Sequence, residues 1–212
     1  WSPDGTKIAF TSKSSNLVAS DTNNSLDLFV KTLATGEIQR ISTDAAGLQV
    51  NGGSFDHDWS PDGTRIAFIS GAGNFLPGDT NGVNDVFIKD LATFAVERVS
   101  TASNGAQAAD ESYGRPAWSP DGTKIAFSSY ANNLVPEDTN TGMDVFVKNL
   151  GNGDTGRVST TSTGDQANNG GSRDPGSYQA RWSPDGTLTA FSSDADNLVP
   201  ADTNGASDVF VK

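Results

Sequence analysis

Four times along the chain the pattern Asp-Thr-Asn-x-x-x-Asp sets side-chain oxygens at offsets 0, 2 and 6. The copies are Asp21, Asn23 and Asp27; Asp79, Asn81 and Asp85; Asp138, Asn140 and Asp144; and Asp202, Asn204 and Asp208. Calcium takes roughly six to eight hard oxygen ligands from carboxylates, amides, backbone carbonyls and water. These twelve residues are therefore the candidate metal ligands, and calcium is the candidate cofactor. Offsets 0 and 2 match the start of an EF-hand loop, but the bidentate Glu that closes such a loop is missing, so the pattern is not an EF-hand. An Asn precedes each first Asp by five residues: Asn16, Asn74, Asn133 and Asn197. The competing reading is turn architecture, because Asp, Asn, Thr and Gly are ordinary turn formers that bond nearby backbone N–H groups. The second Asp weighs against a plain turn. It opens an apolar strand, where a carboxylate is costly unless partnered. Eight of the 26 acidic residues lie in these loops, so four bound ions would move the net charge from -12 to about -4.

Other chemistry is sparse. There is no cysteine, hence no disulfide, thiolate metal site or cysteine nucleophile. The single histidine, His57, occurs in only one copy; a catalytic histidine needs a nucleophile and an orienting group, and no Gly-x-Ser-x-Gly segment occurs. An enzyme is not expected. The acidic balance argues against nucleic acid, which is bound through clustered Lys and Arg. No apolar run approaches the length of a membrane-spanning helix.

The elements that must position the loops are repeats. Trp-Ser-Pro-Asp-Gly-Thr begins at Trp1, Trp59, Trp118 and Trp182, and Arg-Ile/Val-Ser begins at Arg40, Arg98 and Arg157. Each repeat reads as four short strands with no helical period. Strand one ends at the Trp, and a Ser-Pro-Asp-Gly turn follows, so Asp4, Asp62, Asp121 and Asp185 are turn residues. Strand two covers residues 7–10, 65–68, 124–127 and 188–191. Strand three covers 28–31 and its copies through 209–212, and strand four covers 39–42 and its copies. Antiparallel meanders that cannot bury a core alone predict an all-β fold of β-propeller blades. The blades are placed at 1–54, 55–112, 113–172 and 173–212. Alternating strands put the Ser-Pro-Asp-Gly and Ala-Thr-Gly turns on one face. The acidic loops share the other face with the inter-blade loops 44–54, 102–112 and 161–172, each carrying Gly-x-Gln (Gln49, Gln107, Gln166). The four Trp are expected between blades, and the three Arg are expected to pair with nearby carboxylates. Tyr113, Tyr130 and Tyr178, each in a single copy, are weak candidates for a contact surface.

These strings resemble the PD40 repeat, the WD40-like repeat of TolB-type propellers, over essentially the whole chain. The pattern Asn-Leu-Val-x-x-Asp-Thr-Asn-x-x-x-Asp-Val-Phe-Val-Lys is similar to that of a bacterial subgroup, often secreted or on the cell surface. The resemblance implies a propeller of usually six or more blades, acting as a binding or scaffold module rather than an enzyme. Departures are Thr189 for Ile, Phe94 for the turn Gly, and Asn74-Phe75-Leu76 for Asn-Leu-Val. The chain is expected to be part of a larger ring, with further blades or domains of a parent chain as partners. The expected function is a calcium-stabilised module binding protein or glycan, located extracellularly, on the surface or in the periplasm. The alternative is the propeller domain of a larger secreted hydrolase or peptidase. A lyase acting on the propeller itself is disfavoured by the scarcity of His and clustered basic residues.

Overall fold

The computed structural model describes residues 1–168 and 179–212. Fourteen strands form four antiparallel sheets, and no helix occurs among the described residues. The first sheet holds β1 (Lys7–Ser12), β2 (Asp27–Thr32) and β3 (Ile38–Arg40). The second holds β4 (Ser54–Trp59), β5 (Arg65–Ser70), β6 (Asp85–Asp90) and β7 (Val96–Arg98). The third holds β8 (Ser112–Trp118), β9 (Lys124–Ser129), β10 (Asp144–Asn149) and β11 (Thr155–Arg157). The fourth holds β12 (Arg181–Trp182), β13 (Thr189–Ser193) and β14 (Asp208–Val211). In each sheet the strands pair in sequence order, as a propeller blade requires. The boundary placed between residues 172 and 173 lies outside the described residues, as does Tyr178.

Pairing register explains the repeated Phe. Phe10 opposes Phe29, Phe68 opposes Phe87, Phe127 opposes Phe146 and Phe191 opposes Phe210. Their rings pack with centroids 5.7 to 6.1 Å apart. Period-two alternation then divides each blade between two neighbours. In the second blade, Ile66, Phe68 and Phe87 pack with Leu28, Val30 and Ile41 of the first. Its Ala67, Ile69, Val86 and Ile88 pack with Trp118, Ile125, Phe127 and Phe146 of the third. Both faces are buried, so the strands read as continuous apolar runs. Trp59 and Trp118 are 7% and 6% exposed within these interfaces, the between-blade role expected of them, and Trp182 is partly buried, whereas Trp1 is 72% exposed and does not take that role.

Two strand assignments shift. Strand four is three residues long and stops at the Arg. Ile41 and Ser42 both donate their N–H to the Leu28 carbonyl, which turns the chain aside so that the Ser42 hydroxyl reaches Asp27. In the fourth blade, strand two starts at Thr189 rather than Leu188 and runs to Ser193.

The turns divide between faces as expected. Ser-Pro-Asp-Gly closes with Gly5, Gly63, Gly122 and Gly186 at φ near 70°. Its Asp accepts from the preceding Ser and from the Thr two residues on, for example at 2.6 and 3.0 Å for Asp62. Those bonds favour the ionised form and hold Asp4, Asp121 and Asp185 at a pKa of about 2. The Ala-Thr-Gly turn lies alongside it, with Leu33 N–H bonded to Thr6 O and Leu91 N–H to Thr64 O, each at 3.0 Å.

Candidate functional site: the acidic loops

The acidic loops occupy the opposite face, between strands two and three of each blade. Their first element is the Asn of Asp-Thr-Asn. Its side-chain oxygen accepts from the backbone N–H two residues on, at Ser25, Val83, Gly142 and Ala206. This turn swings the second Asp to the start of strand three, where Asp27, Asp85 and Asp144 are at most 1% exposed. The Ser of Arg-Ile/Val-Ser meets it there. Ser100 Oγ donates to Asp85 at 2.6 Å and accepts from Val86 N–H at 3.1 Å. Ser42 and Ser159 repeat both bonds.

In the second and third loops the two carboxylates converge, and what lies between them is an arginine; in the first loop the arginine pairs with the first Asp. Arg98 Nη2 is 3.2 Å from Asp79 and its Nε 3.5 Å from Asp85. Arg157 Nη1 lies 3.1 Å from Asp138 and 3.4 Å from Asp144. Arg40 Nη1 is 3.6 Å from Asp21. The pairing expected of these arginines is observed, and its partners are the candidate ligands themselves. The Gln of Gly-x-Gln completes the cluster: Gln49 and Gln166 donate to Asp21 and Asp138 at 2.9 and 2.8 Å, while Gln107 accepts from Arg98. The Gln oxygen also receives the Thr N–H and hydroxyl at Thr22 and Thr139. Sequence reading marked the Gln as polar loop residues but gave them no partner.

Burial sets the electrostatics. Asp27, Asp85, Asp138 and Asp144 all have their pKa raised, with desolvation the largest cause. Against it, the Ser hydroxyl is the main opposing influence on Asp27, Asp85 and Asp144, and the arginine on Asp138. The guanidinium thus offsets only part of the cost of burying two carboxylates.

The fit to calcium can be judged from these contacts. In the first three loops the inward carboxylate oxygens already face Arg, Gln and Ser. The Asn directs its amide nitrogen to a loop carbonyl, at Val50, Ala108 and Ala167, while its oxygen is used in the turn. A divalent ion would have to displace the guanidinium. The fourth loop differs. Asn204 donates to Asp208 at 2.9 Å, and no ion pair to Asp202 or Asp208 occurs among the described residues. There, too, no group of three or more His, Cys, Asp or Glu is placed to hold a metal.

Asn74, Asn133 and Asn197 take no part in the clusters. Their oxygens accept from Asn51, Ala109 and Asn168 N–H, and their nitrogens face the carbonyls of Gln49, Gln107 and Gln166. Each one fastens its blade to the loop arriving from the blade before. His57 Nε2 lies 3.2 Å from the Ala9 carbonyl, and burial lowers its pKa. Tyr113 and Tyr130 pack edge to face at 5.8 Å.

Superposed on solved structures, the four blades follow TolB from Acinetobacter baumannii over 97% of this chain, with a TM-score of 0.59 and 18% identity. The fold is that of a TolB-type β-propeller. The β-propeller domain of the trilobed protease from Pyrococcus furiosus superposes over 98% of the chain with a TM-score of 0.55 and 12% identity. An oligogalacturonate lyase in complex with manganese superposes over 97% with a TM-score of 0.55 and 14% identity. In sequence, dipeptidyl-peptidase 5 of Porphyromonas gingivalis is 28% identical over 127 residues, 60% of this chain and 16% of that protein. No family model matches. The chain spans 38% of the TolB chain and 51% of the protease propeller, so the TolB-type fold is shared while the proteins' extents differ.

Proposed function

We propose that this chain is a non-catalytic binding and scaffold module of the TolB-like type, working outside the cytoplasm on a protein or glycan ligand. The observation that carries the reading is the fate of its repeated charged residues. In the first three acidic loops each repeated Asp, Arg, Gln and Ser is engaged with another residue of the same blade or its outgoing loop. These groups fasten each blade to its outgoing loop, and none is left as a tuned acid, base or nucleophile. A direct assay tests it: the chain is incubated with dipeptidyl-nitroanilides and with polygalacturonate. No turnover above buffer is expected, and turnover by the chain alone would refute the non-catalytic reading. It would favour catalysis on the propeller itself, the lyase reading that the scarcity of His disfavours.

Calcium belongs to the same proposal as an exchange. The ion can enter the first three loops only as Arg40, Arg98 or Arg157 withdraws, whereas among the described residues no arginine pairs with the fourth loop. Calorimetric titration of EGTA-treated chain, with the melting temperature followed in parallel, measures this. The expected stoichiometry is one ion rather than four, with an Arg98→Ala variant gaining a second. Absence of heat in both proteins would remove calcium from the account.

A further inference from the structure

The four copies share their Trp-Ser-Pro-Asp-Gly turns, second and third strands and acidic loops, but strand one varies in its charged residues. That strand reads Ser-Phe-Asp-His-Asp-Trp in the second blade and Ser-Tyr-Gly-Arg-Pro-Ala-Trp in the third, and the fourth has Gln-Ala-Arg before its Trp. Shared packing and turn demands account for the residues that repeat. They give no reason for the charged residues that appear once each.

The structure gathers those residues. β4 and β8 are edge strands of their sheets and lie against one another. Each carries a bulge, with register shifting between Phe55 and Asp58 and between Tyr113 and Ala117. Asp56 and Gly114 take φ of 48° and 71°. A bulge frees one side chain from the ladder and re-aims it. Here that residue is Arg115, which crosses to Asp58 of the neighbouring blade at 2.5 Å. Arg115, Arg181, Asp58, Pro120 and Pro184 share an open hollow of about 260 Å³ with the edges of Trp118 and Trp182. The two guanidinium groups are not equivalent. Arg115 has its carboxylate. Arg181 is exposed, and among the described residues it bonds only to neutral acceptors, Ala180 O at 3.0 Å and Gln179 Oε1 at 2.6 Å. In a chain of net charge -12, this hollow holds a guanidinium with no counter-ion among the described residues.

We propose that the hollow is a carboxylate-binding subsite, with Arg181 as primary anchor and Arg115 as a second donor held in reserve by Asp58. The ligand it fits is an acidic peptide segment. This deepens the binding-module reading and rests on it. Guanidinium recognises carboxylate through paired, charge-assisted hydrogen bonds, and the hollow has room for one or two side chains. A saccharide would seek an open aromatic face. Here Trp118 is 6% exposed with Arg65 stacked over it at 4.6 Å, and Lys124 lies 5.8 Å from the Trp182 ring centre. That leaves donors and proline edges, a peptide's requirements.

Calorimetry with the 212-residue chain tests this, using N-acetylated hexaglutamate, hexalysine and trigalacturonate as probes at low salt. Hexaglutamate should bind against the net charge of the protein, although that charge favours hexalysine through diffuse attraction. Arg181→Gln should weaken hexaglutamate about tenfold or more. Asp58→Asn, which frees Arg115 while keeping an acceptor for Trp118 N–H, should tighten it several-fold. All three proteins should show the same melting temperature to within a few degrees. Hexaglutamate binding that ignores Arg181→Gln, or no hexaglutamate binding at all, would overturn the subsite and leave the module reading standing. Arg181-dependent binding of trigalacturonate alone would overturn the peptide assignment. Turnover of any probe would instead overturn the non-catalytic reading.

Discussion

Asp85 shows how a single residue can cost stability and still be fixed in place. It is fully buried, its pKa is raised chiefly by desolvation, and Arg98 beside it supplies the positive charge. A raised pKa means that the native state holds the proton more tightly than the unfolded chain. Between the ordinary Asp value and the raised one, stability therefore falls as pH rises. Asp85→Asn should flatten that fall, which urea unfolding at a series of pH values from 4 upward would reveal as a shrinking gap between variant and wild type below the raised pKa. The turn residues Asp4, Asp121 and Asp185 act in the opposite sense, since their pKa of about 2 supplies stability that is lost as pH drops through that value. Removing the cation is harsher than removing one carboxylate. Arg98→Met leaves Asp79 and Asp85 facing each other and should cost about 3 kcal/mol in denaturant unfolding. Phe94 is the converse case. It holds φ of 61° where the other blades have Gly36 and Gly153, a conformation that disfavours a Cβ. Phe94→Gly should gain up to about 1 kcal/mol, reduced by the loss of its contact with Lys89 Nζ, 5.3 Å from the ring centre. A variant less stable than wild type would show that the Lys89 contact outweighs the strain.

At the scale of elements, the strands were legible because their information is local. Alternating Val, Ile and Phe, bounded by Ser-Pro-Asp-Gly and Ala-Thr-Gly, fixes antiparallel partners within a single repeat. The end of strand four was not legible. Ile41 and Ser42 look like further strand residues until Ser42 is seen to be required by Asp27. The loop clasp was half visible, since Asn74, Asn133 and Asn197 recur, yet their partners are main-chain groups of another blade. Because Asn133 bonds both the Ala109 N–H and the Gln107 carbonyl on an exposed loop, Asn133→Ala should cost about 1 kcal/mol. Amide hydrogen exchange should quicken at Ala109 ahead of the strand amides. Uniform quickening across the third blade would mean that the clasp is not a local element.

Across the whole molecule, blades are joined by one further device. Lys89 Nζ donates to the carbonyls of Thr43 and Asp44 at 2.8 Å each, and Lys148 to those of Thr101 and Ala102 at 3.1 and 3.3 Å. Lys212 reaches Thr160 at 3.3 Å in the same way. Each lysine crosses from its own blade to the outgoing loop of the blade before. Burial lowers the Lys89 pKa to about 8, so the unfolded chain binds its proton more tightly and this group's contribution to stability grows as pH rises from about 8 to its unfolded value. Comparing wild type with Lys89→Met in urea at pH 8 and pH 10 isolates it: the wild type should gain on the variant as pH rises, and an unchanging difference would rule the titration out. What the sequence by itself determined is the repeating blade, because turn chemistry and two-residue periodicity act over short stretches of chain. Only the tertiary structure decided what the acidic loops do. Two carboxylates at offset 6 attract any cation equally well on paper. Folding brings Arg40 back to Asp21, and Gln49 with it, from 19 and 28 residues away, and so sets the protein's own guanidinium beside the first carboxylate of the loop.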